Sequence, residues 1–325
     1  MPLTILVTGA TGGLGRHLIQ QLRNSGYQVR GHYRTRPGTA EEVDWRRMDF
    51  LETLDFSALV QGCDAVIHLA AETNESSAMH QVNAGATAAL VAAAQSAGVR
   101  YFGYASSIVV YGSPRTRVVD ETTPLLDPQI SLVRQYHNNP AMLEYARTKV
   151  LAEQVIDRFH PKMTVDIYRP TVVVDLDQLL DAGNWSTARK LVLAYRRTQY
   201  LYVLDAAAAI SHLLAQWAAS SSNARSGVQA FNLADEDCLT FHEILTEAYR
   251  ATGDSRYKMS VGAPMLVMLD VAKDALKFRD PTLRYSLGML RIRNAKLRGT
   301  GFRLHYGIKS ALRQALARNS SSADV

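Results

Sequence analysis

Glycines at positions 9, 12 and 15 separate the apolar run Thr4-Ile5-Leu6-Val7-Thr8 from a segment where Leu14, Leu18, Ile19 and Leu22 recur at helical spacing, which leaves few ways to fold this stretch. The pattern reads as strand, tight turn and helix. In such a unit the first glycine permits the turn, the second lets backbone approach a pyrophosphate, and the third lets the helix pack close on the strand. Free N–H groups and the positive end of the helix dipole then face the phosphates. A dinucleotide is therefore expected here, against Gly9, Thr11, Gly12, Gly13, Leu14 and Gly15. The spacing Gly-x-x-Gly-x-x-Gly departs from the Gly-x-Gly-x-x-Gly form, and three glycines alone also fit an ordinary surface turn.

The residues Thr8-Gly9-x-x-Gly12-x-x-Gly15 resemble the cofactor fingerprint of the extended branch of the short-chain dehydrogenase/reductase family, the epimerase/dehydratase-like members. The resemblance implies an α/β fold: a Rossmann-type doubly wound parallel sheet with a smaller C-terminal substrate lobe. Residues 1–170 are then the cofactor domain with the catalytic groups. Residues 171–317 are mainly the substrate lobe, with some segments returning to the sheet, and residues 318–325 are a flexible tail.

Composition narrows the alternatives. A chain of 325 residues, 47% hydrophobic and 20% charged, can bury a core and has no run of 18 apolar residues to span a membrane. No basic-then-apolar leader opens it, so a cytoplasmic location is expected. Cys63 and Cys238 lack partners at metal spacing, so neither a zinc site nor a disulfide framework is expected. The formal charge of +6 is concentrated between Lys273 and Arg318 among apolar residues rather than stacking aromatics, which reads as a solvated basic face and not a nucleic-acid surface.

The second strand, Tyr27 to Arg34, should end at the adenosine ribose, where an acid accepts from a 2′-hydroxyl and an arginine holds a 2′-phosphate. No acid stands there. Arg34 and Arg36 do, and guanidinium binds phosphate bidentately, so NADP(H) is expected over NAD(H). Gly26-Tyr27-x-Val29-Arg30-x-x-x-Arg34 also resembles the NADP-using dihydroflavonol and cinnamoyl reductase branch. The family resemblance further implies adenine contacts at Asp49 and Phe50, and a backbone lying against the cofactor at Leu69, Ala70 and Ala71. His68, just before them, reads as a packed strand residue. An alanine-rich helix is expected from Ser77 to Ala97. It carries Asn83 at a position that orders the active-site backbone in the family, or simply near the helix start, and the resemblance implies a homodimer through this helix and the later one bearing Tyr145, although its small residues serve sheet packing equally.

The chemistry is expected where Ser106-Ser107-Ile108-Val109-Val110-Tyr111-Gly112 follows the strand from Val99 to Ala105. Tyr145 and Lys149 lie four apart on a helical run from Ala141 to Phe159, so phenol and ammonium share one face. In the family pattern Tyr145 is the acid/base, Lys149 lowers its pKa and holds the nicotinamide ribose, and Ser107 orients the substrate oxygen. Arg169-Pro170-Thr171-Val172-Val173 resembles the segment that passes the nicotinamide, with Pro170 and Val173 beside it. The Tyr-Gly-Pro common next in sugar-nucleotide epimerases is replaced by Val174-Asp175-Leu176.

The long stretch between Ser107 and Tyr145, in which Gln129 to Asn139 reads as an addition, carries Arg115, Arg117, Arg134, Tyr136 and His137 as candidate substrate contacts, though solvent exposure fits each taken singly. Met265, Leu266, Met268 and Leu269 form an apolar face in the lobe. These features imply an NADP(H)-dependent oxidoreductase acting on a small-molecule carbonyl or alcohol. A nucleotide-sugar epimerase or dehydratase with retained cofactor, and a non-catalytic NADP(H) sensor, remain as alternatives.

Overall fold

The computed structural model describes residues 2–112, 114, 116–129, 140–158, 163–187, 189–190, 197–220, 227–258 and 290–321. Its centre is a seven-stranded, wholly parallel sheet: β1 Thr4–Thr8, β2 Gln28–Tyr33, β3 Val43–Arg47, β4 Ala65–His68, β5 Tyr101–Ala105, β6 Thr164–Pro170 and β7 Gly227–Leu233. In space they run β7-β6-β5-β4-β1-β2-β3. The chain moves outward from β1 to β3, then crosses back to β4, so the order reverses beside β1. Open parallel sheets bind ligands at the carboxyl ends of the strands flanking such a reversal, and the glycine turn sits there. The architecture is the Rossmann-type α/β fold expected from the sequence.

Both faces of the sheet are covered, which is why β1 is apolar throughout and not alternating. Ile5 and Val7 point to one side, against Leu18, Ile19 and Leu22 of α1 (Gly13–Asn24) and the alanine-rich helix Val203–Ala219. Leu6 points to the other, with Val66, Phe102 and Val165, against Leu90 and Val91 of α2 (Ala86–Ser96) and Ala152 and Ile156 of α3 (Pro140–Asp157).

The long helix expected from Ser77 to Ala97 is interrupted. Ser76–Met79 is α-helical, His80–Gly85 winds as a π-helix, and α2 follows. The wider turn places Asn83 inside the protein, where its side chain has work described below.

Away from the sheet, Val172–Val174 pairs in parallel with Tyr200–Tyr202. The helix Phe241–Thr252 opens on the reciprocal Thr240–Glu243 cap visible in the sequence. The last helix runs Ile308–Ser321, past Leu316 and into the expected tail. Arg115, Arg134, Tyr136, His137 and the Met265–Leu269 face lie outside the described residues.

Candidate active site

The turn after β1 is built for close approach. Gly9 has φ +64°, and a Cβ on it would lie 2.9 Å from the backbone of Ala70; one on Gly15 would lie 2.3 Å from the Gly9 carbonyl oxygen. A Cβ on Gly13 would meet nothing within 4 Å, so the turn is packed on its inner side and open on its outer side. Among the described residues no side chain caps α1. The N–H groups of Thr11, Gly13 and Leu14 find no acceptor among the described residues. An uncapped helix start with an open, glycine-lined face fits a pyrophosphate.

A histidine that sequence reasoning passed over supports this turn from below. His32 is buried at the end of β2; its Nδ1 accepts from Gly9 N–H at 3.2 Å, its Nε2 lies 2.9 Å from the Met48 carbonyl, and its carbonyl accepts from Ala10 N–H. The ring of Phe50 stacks on it at 4.5 Å. Phe50, expected at the adenine, is buried on the side where it meets His32 and Phe56. Asp49 accepts from Leu51 N–H.

His68 is likewise a support. Its Nδ1 lies 2.6 Å from Thr8 Oγ1 and its Nε2 3.0 Å from Thr87 Oγ1. Because Thr87 donates its proton to the Asn83 carbonyl, Nε2 must donate and Nδ1 accept. Thr8 Oγ1 in turn receives the N–H groups of Leu69 and Ala70, each at 3.2 Å, which fixes the Leu69-Ala70-Ala71 backbone next to the glycine turn.

Burial holds the His68 pKa well below its ordinary value, and lowers that of His32. Stability from a neutral buried histidine is complete above the unfolded value of about 6.5 and is lost as pH falls toward the lowered folded value. Unfolding free energy should therefore decline below pH 6.5 with about 1.4 kcal/mol per pH unit from His68. His68→Gln should flatten that slope in denaturant titrations run from pH 7 to 5. An unchanged slope would show that His68 titrates normally.

At the sheet's carboxyl edge Tyr145 and Lys149 lie on α3, and Ser107 follows β5. Ser107 caps the turn Ile108–Tyr111; its Oγ accepts from Val109 N–H at 3.3 Å, and its hydroxyl hydrogen has no acceptor among the described residues. That turn packs in one apolar cluster with Tyr145, Ala146 and Val150. Lys149 is buried, donates to the Ala105 carbonyl at 2.7 Å, and sits 5.7 Å from the centre of the Tyr145 ring. Burial pushes the Tyr145 phenol up to about 12 and Lys149 down to about 7. The Tyr145 hydroxyl has no hydrogen-bond partner among the described residues.

Asn83 ties the parts together. Its Oδ1 accepts from Glu72 N–H at 2.8 Å, and its Nδ2 donates to the Glu72 carbonyl at 2.9 Å and to Thr148 Oγ1 at 3.1 Å. Thr148 donates to the Tyr145 carbonyl. The loop after β4 is thus fastened to α3 through one amide.

Behind Lys149 lies a buried ion pair that the sequence reading missed. Glu153 accepts from Ser106 Oγ and receives Arg169 bidentately, at 3.1 and 2.6 Å. Arg169 Nη1 reaches Tyr111 Oη at 2.9 Å, and Tyr111 donates to Asn232. An acid one helical turn beyond Lys149 on a buried face was the available signal.

On the cofactor side, Arg34 and Arg36 are exposed, and Arg34 lies 3.9 Å from Glu72. Pro170 and Val173 are half-buried along the segment leaving β6.

With this geometry established, residues 5–173 match the model of the NAD dependent epimerase/dehydratase family. The chain belongs to that family. It is a family of enzymes, within the extended short-chain dehydrogenases/reductases, and it includes both epimerases and reductases. Among curated relatives, a UDP-glucose 4-epimerase of Rhizobium leguminosarum bv. trifolii is 31% identical over 164 residues, 47% of this chain and 46% of that protein. Cinnamoyl-CoA reductase 2 of Medicago truncatula is 31% identical over 135 residues, 37% of this chain and 40% of that protein. The chain therefore spans less than half the length of either. A short-chain dehydrogenase/reductase superfamily protein from Agrobacterium tumefaciens, solved with bound NAD, superposes with a TM-score of 0.71 at 23% identity, covering 99% of this chain and 98% of that one. Among the described residues this family member has no helix long and apolar enough to cross a membrane and no His/Cys/Asp/Glu cluster that could hold a metal.

Proposed function

We propose that the protein is an NADP(H)-dependent oxidoreductase that interconverts a carbonyl and an alcohol on a small to medium organic substrate. The supporting observation is the end of β2, where Arg34 and Arg36 border a cleft of about 640 Å³ beside the glycine turn whose lining, among the described residues, includes no acid to accept from a ribose 2′-hydroxyl. Gly9, Thr11, Gly12, Gly13, Leu14 and Gly15 would hold the pyrophosphate, and Leu69 to Ala71, Pro170 and Val173 would flank the rest.

When bound, the nicotinamide supplies or receives the hydride. This chain's own groups do the remainder. The Ser107 hydroxyl orients the substrate oxygen, Tyr145 Oη gives that oxygen a proton in reduction or removes one in oxidation, and Lys149 stabilises the phenolate that results. Asn83 positions Tyr145 through Thr148. In this reading residues 1–170 form the cofactor domain and residues 171–317 mainly the substrate lobe. The protein works in the cytoplasm as a homodimer.

A second reading is a nucleotide-sugar epimerase or dehydratase with retained cofactor, favoured by the match to a UDP-glucose 4-epimerase. The same Tyr145, Lys149 and Ser107 would serve a transient ketone. A screen of carbonyl compounds followed by NADPH absorbance, with NADH alongside, separates the two. Stoichiometric NADPH consumption supports the oxidoreductase. Turnover with cofactor that co-purifies and is not consumed supports the epimerase. NADH outperforming NADPH would overturn the reading of Arg34, and Arg34→Asp should reverse the preference where the reading holds.

A further inference from the structure

Arg16 follows the last glycine of the turn, and nothing above uses it. Its Nη2 lies 3.2 Å from Oδ2 of Asp175, in the segment where Tyr-Gly-Pro is replaced. Asp175 is also the cap of the helix Leu176–Leu180, accepting from Leu176 N–H at 2.7 Å and completing a capping box with Gln178. Arg16 therefore links the cofactor-binding helix to the start of the substrate lobe.

The same side chain borders the cleft beside the turn, together with Arg34, Thr35, Arg36 and Thr39. Three guanidinium groups on one open cleft repel one another until an anion neutralises them. Two are restrained by carboxylates: Arg16 by Asp175 and Arg34 by Glu72. Both arginines are well exposed, 60% and 59%, and exposed ion pairs of this kind are weak. A phosphomonoester carries nearly two charges and accepts bidentate guanidinium bonds, so it is the stronger partner.

Asp175 is not left unbalanced if Arg16 departs. His17 Nε2 is buried, lacks a hydrogen-bond partner among the described residues and lies 3.8 Å from the same Oδ2. Burial and the Arg16 charge hold the His17 pKa down, while Asp175 raises it. Withdrawal of Arg16 removes the opposing charge and lets His17 take its place on the carboxylate.

We propose that Arg16 is an exchangeable reader of the cofactor's phosphomonoester: Asp175 holds it while the cleft is empty, and the phosphate takes it on binding, passing Asp175 to His17. This rests on the NADP(H) reading and adds to it a third phosphate-binding residue, tied to the substrate lobe.

The test is calorimetric titration of 2′,5′-ADP and 5′-AMP into the wild type, Arg16→Gln and Asp175→Asn, with thermal unfolding to confirm that each variant is folded. Asparagine keeps the helix cap and removes the charge. The wild type should bind 2′,5′-ADP at least about tenfold more tightly than 5′-AMP, the range of a charge-assisted contact. Arg16→Gln should lose about tenfold for 2′,5′-ADP and nothing for 5′-AMP. Asp175→Asn should gain several-fold for 2′,5′-ADP alone. A wild type without preference overturns the NADP(H) reading, and this proposal with it. A preferring wild type whose preference survives Arg16→Gln overturns the proposal alone, as does an Asp175→Asn variant that gains nothing.

Discussion

Replacing Tyr145 with phenylalanine is expected to lower carbonyl reduction by about 10²–10⁴-fold, the usual worth of a positioned proton donor, while NADPH affinity changes little. The ring is half-buried and its hydroxyl makes no hydrogen bond among the described residues, so the substitution removes a proton and leaves the packing. With the phenol pushed up to about 12, Tyr145 carries its proton at neutral pH and is ready to donate. Oxidation asks the opposite, and each unit by which the phenol is lowered takes about 1.4 kcal/mol of phenolate stabilisation. Lys149 supplies that charge only while protonated, and at about 7 it is losing its proton as pH rises through neutrality. Lys149→Met should therefore lower kcat/KM for oxidation and for reduction by the same factor, since the equilibrium fixes their ratio, and should remove the dependence on pH near neutrality when both directions are assayed with one alcohol and ketone pair. Full activity in Tyr145→Phe would move the acid/base elsewhere. No activity in either protein would leave the cofactor-binding sensor as the better account.

What was legible in the sequence is what local rules determine. Strand, turn and helix at residues 4–24 follow from spacing and three glycines, and the Tyr145–Lys149 pair from the pitch of one helix. The Thr240–Glu243 cap needs only four residues to specify it. What was hidden depends on partners far along the chain. His32 supports the glycine turn because β2 lies beside β1, and the Phe50 ring is buried where His32 offers a face to stack on. The π turn that turns Asn83 inward cannot be told from an α-helix by apolar spacing alone. The last helix, Ile308–Ser321, outruns the apolar spacing that ends at Leu316.

The ion pair behind Lys149 carries the other large effect. Arg169→Met should destabilise the protein by about 3–5 kcal/mol, because it strands a carboxylate in the interior. The side chains of Glu153 and Arg169 are only 4% and 7% exposed, so water cannot replace what is removed. The loss reaches the catalytic edge, since Glu153 also holds Ser106, the neighbour of Ser107, and Arg169 holds Tyr111 at the end of the turn that Ser107 opens. Removing both charges relieves the stranded carboxylate, and an apolar pair of similar volume can be nearly neutral. Glu153→Leu/Arg169→Met should thus cost less than the two single substitutions added together, though more than nothing, because Ser106 and Tyr111 lose their partners. A double-mutant cycle in urea measures the difference. A single-variant cost below about 1 kcal/mol would mean that solvent reaches Glu153, as it does in exposed pairs, and that the pair does not brace the site.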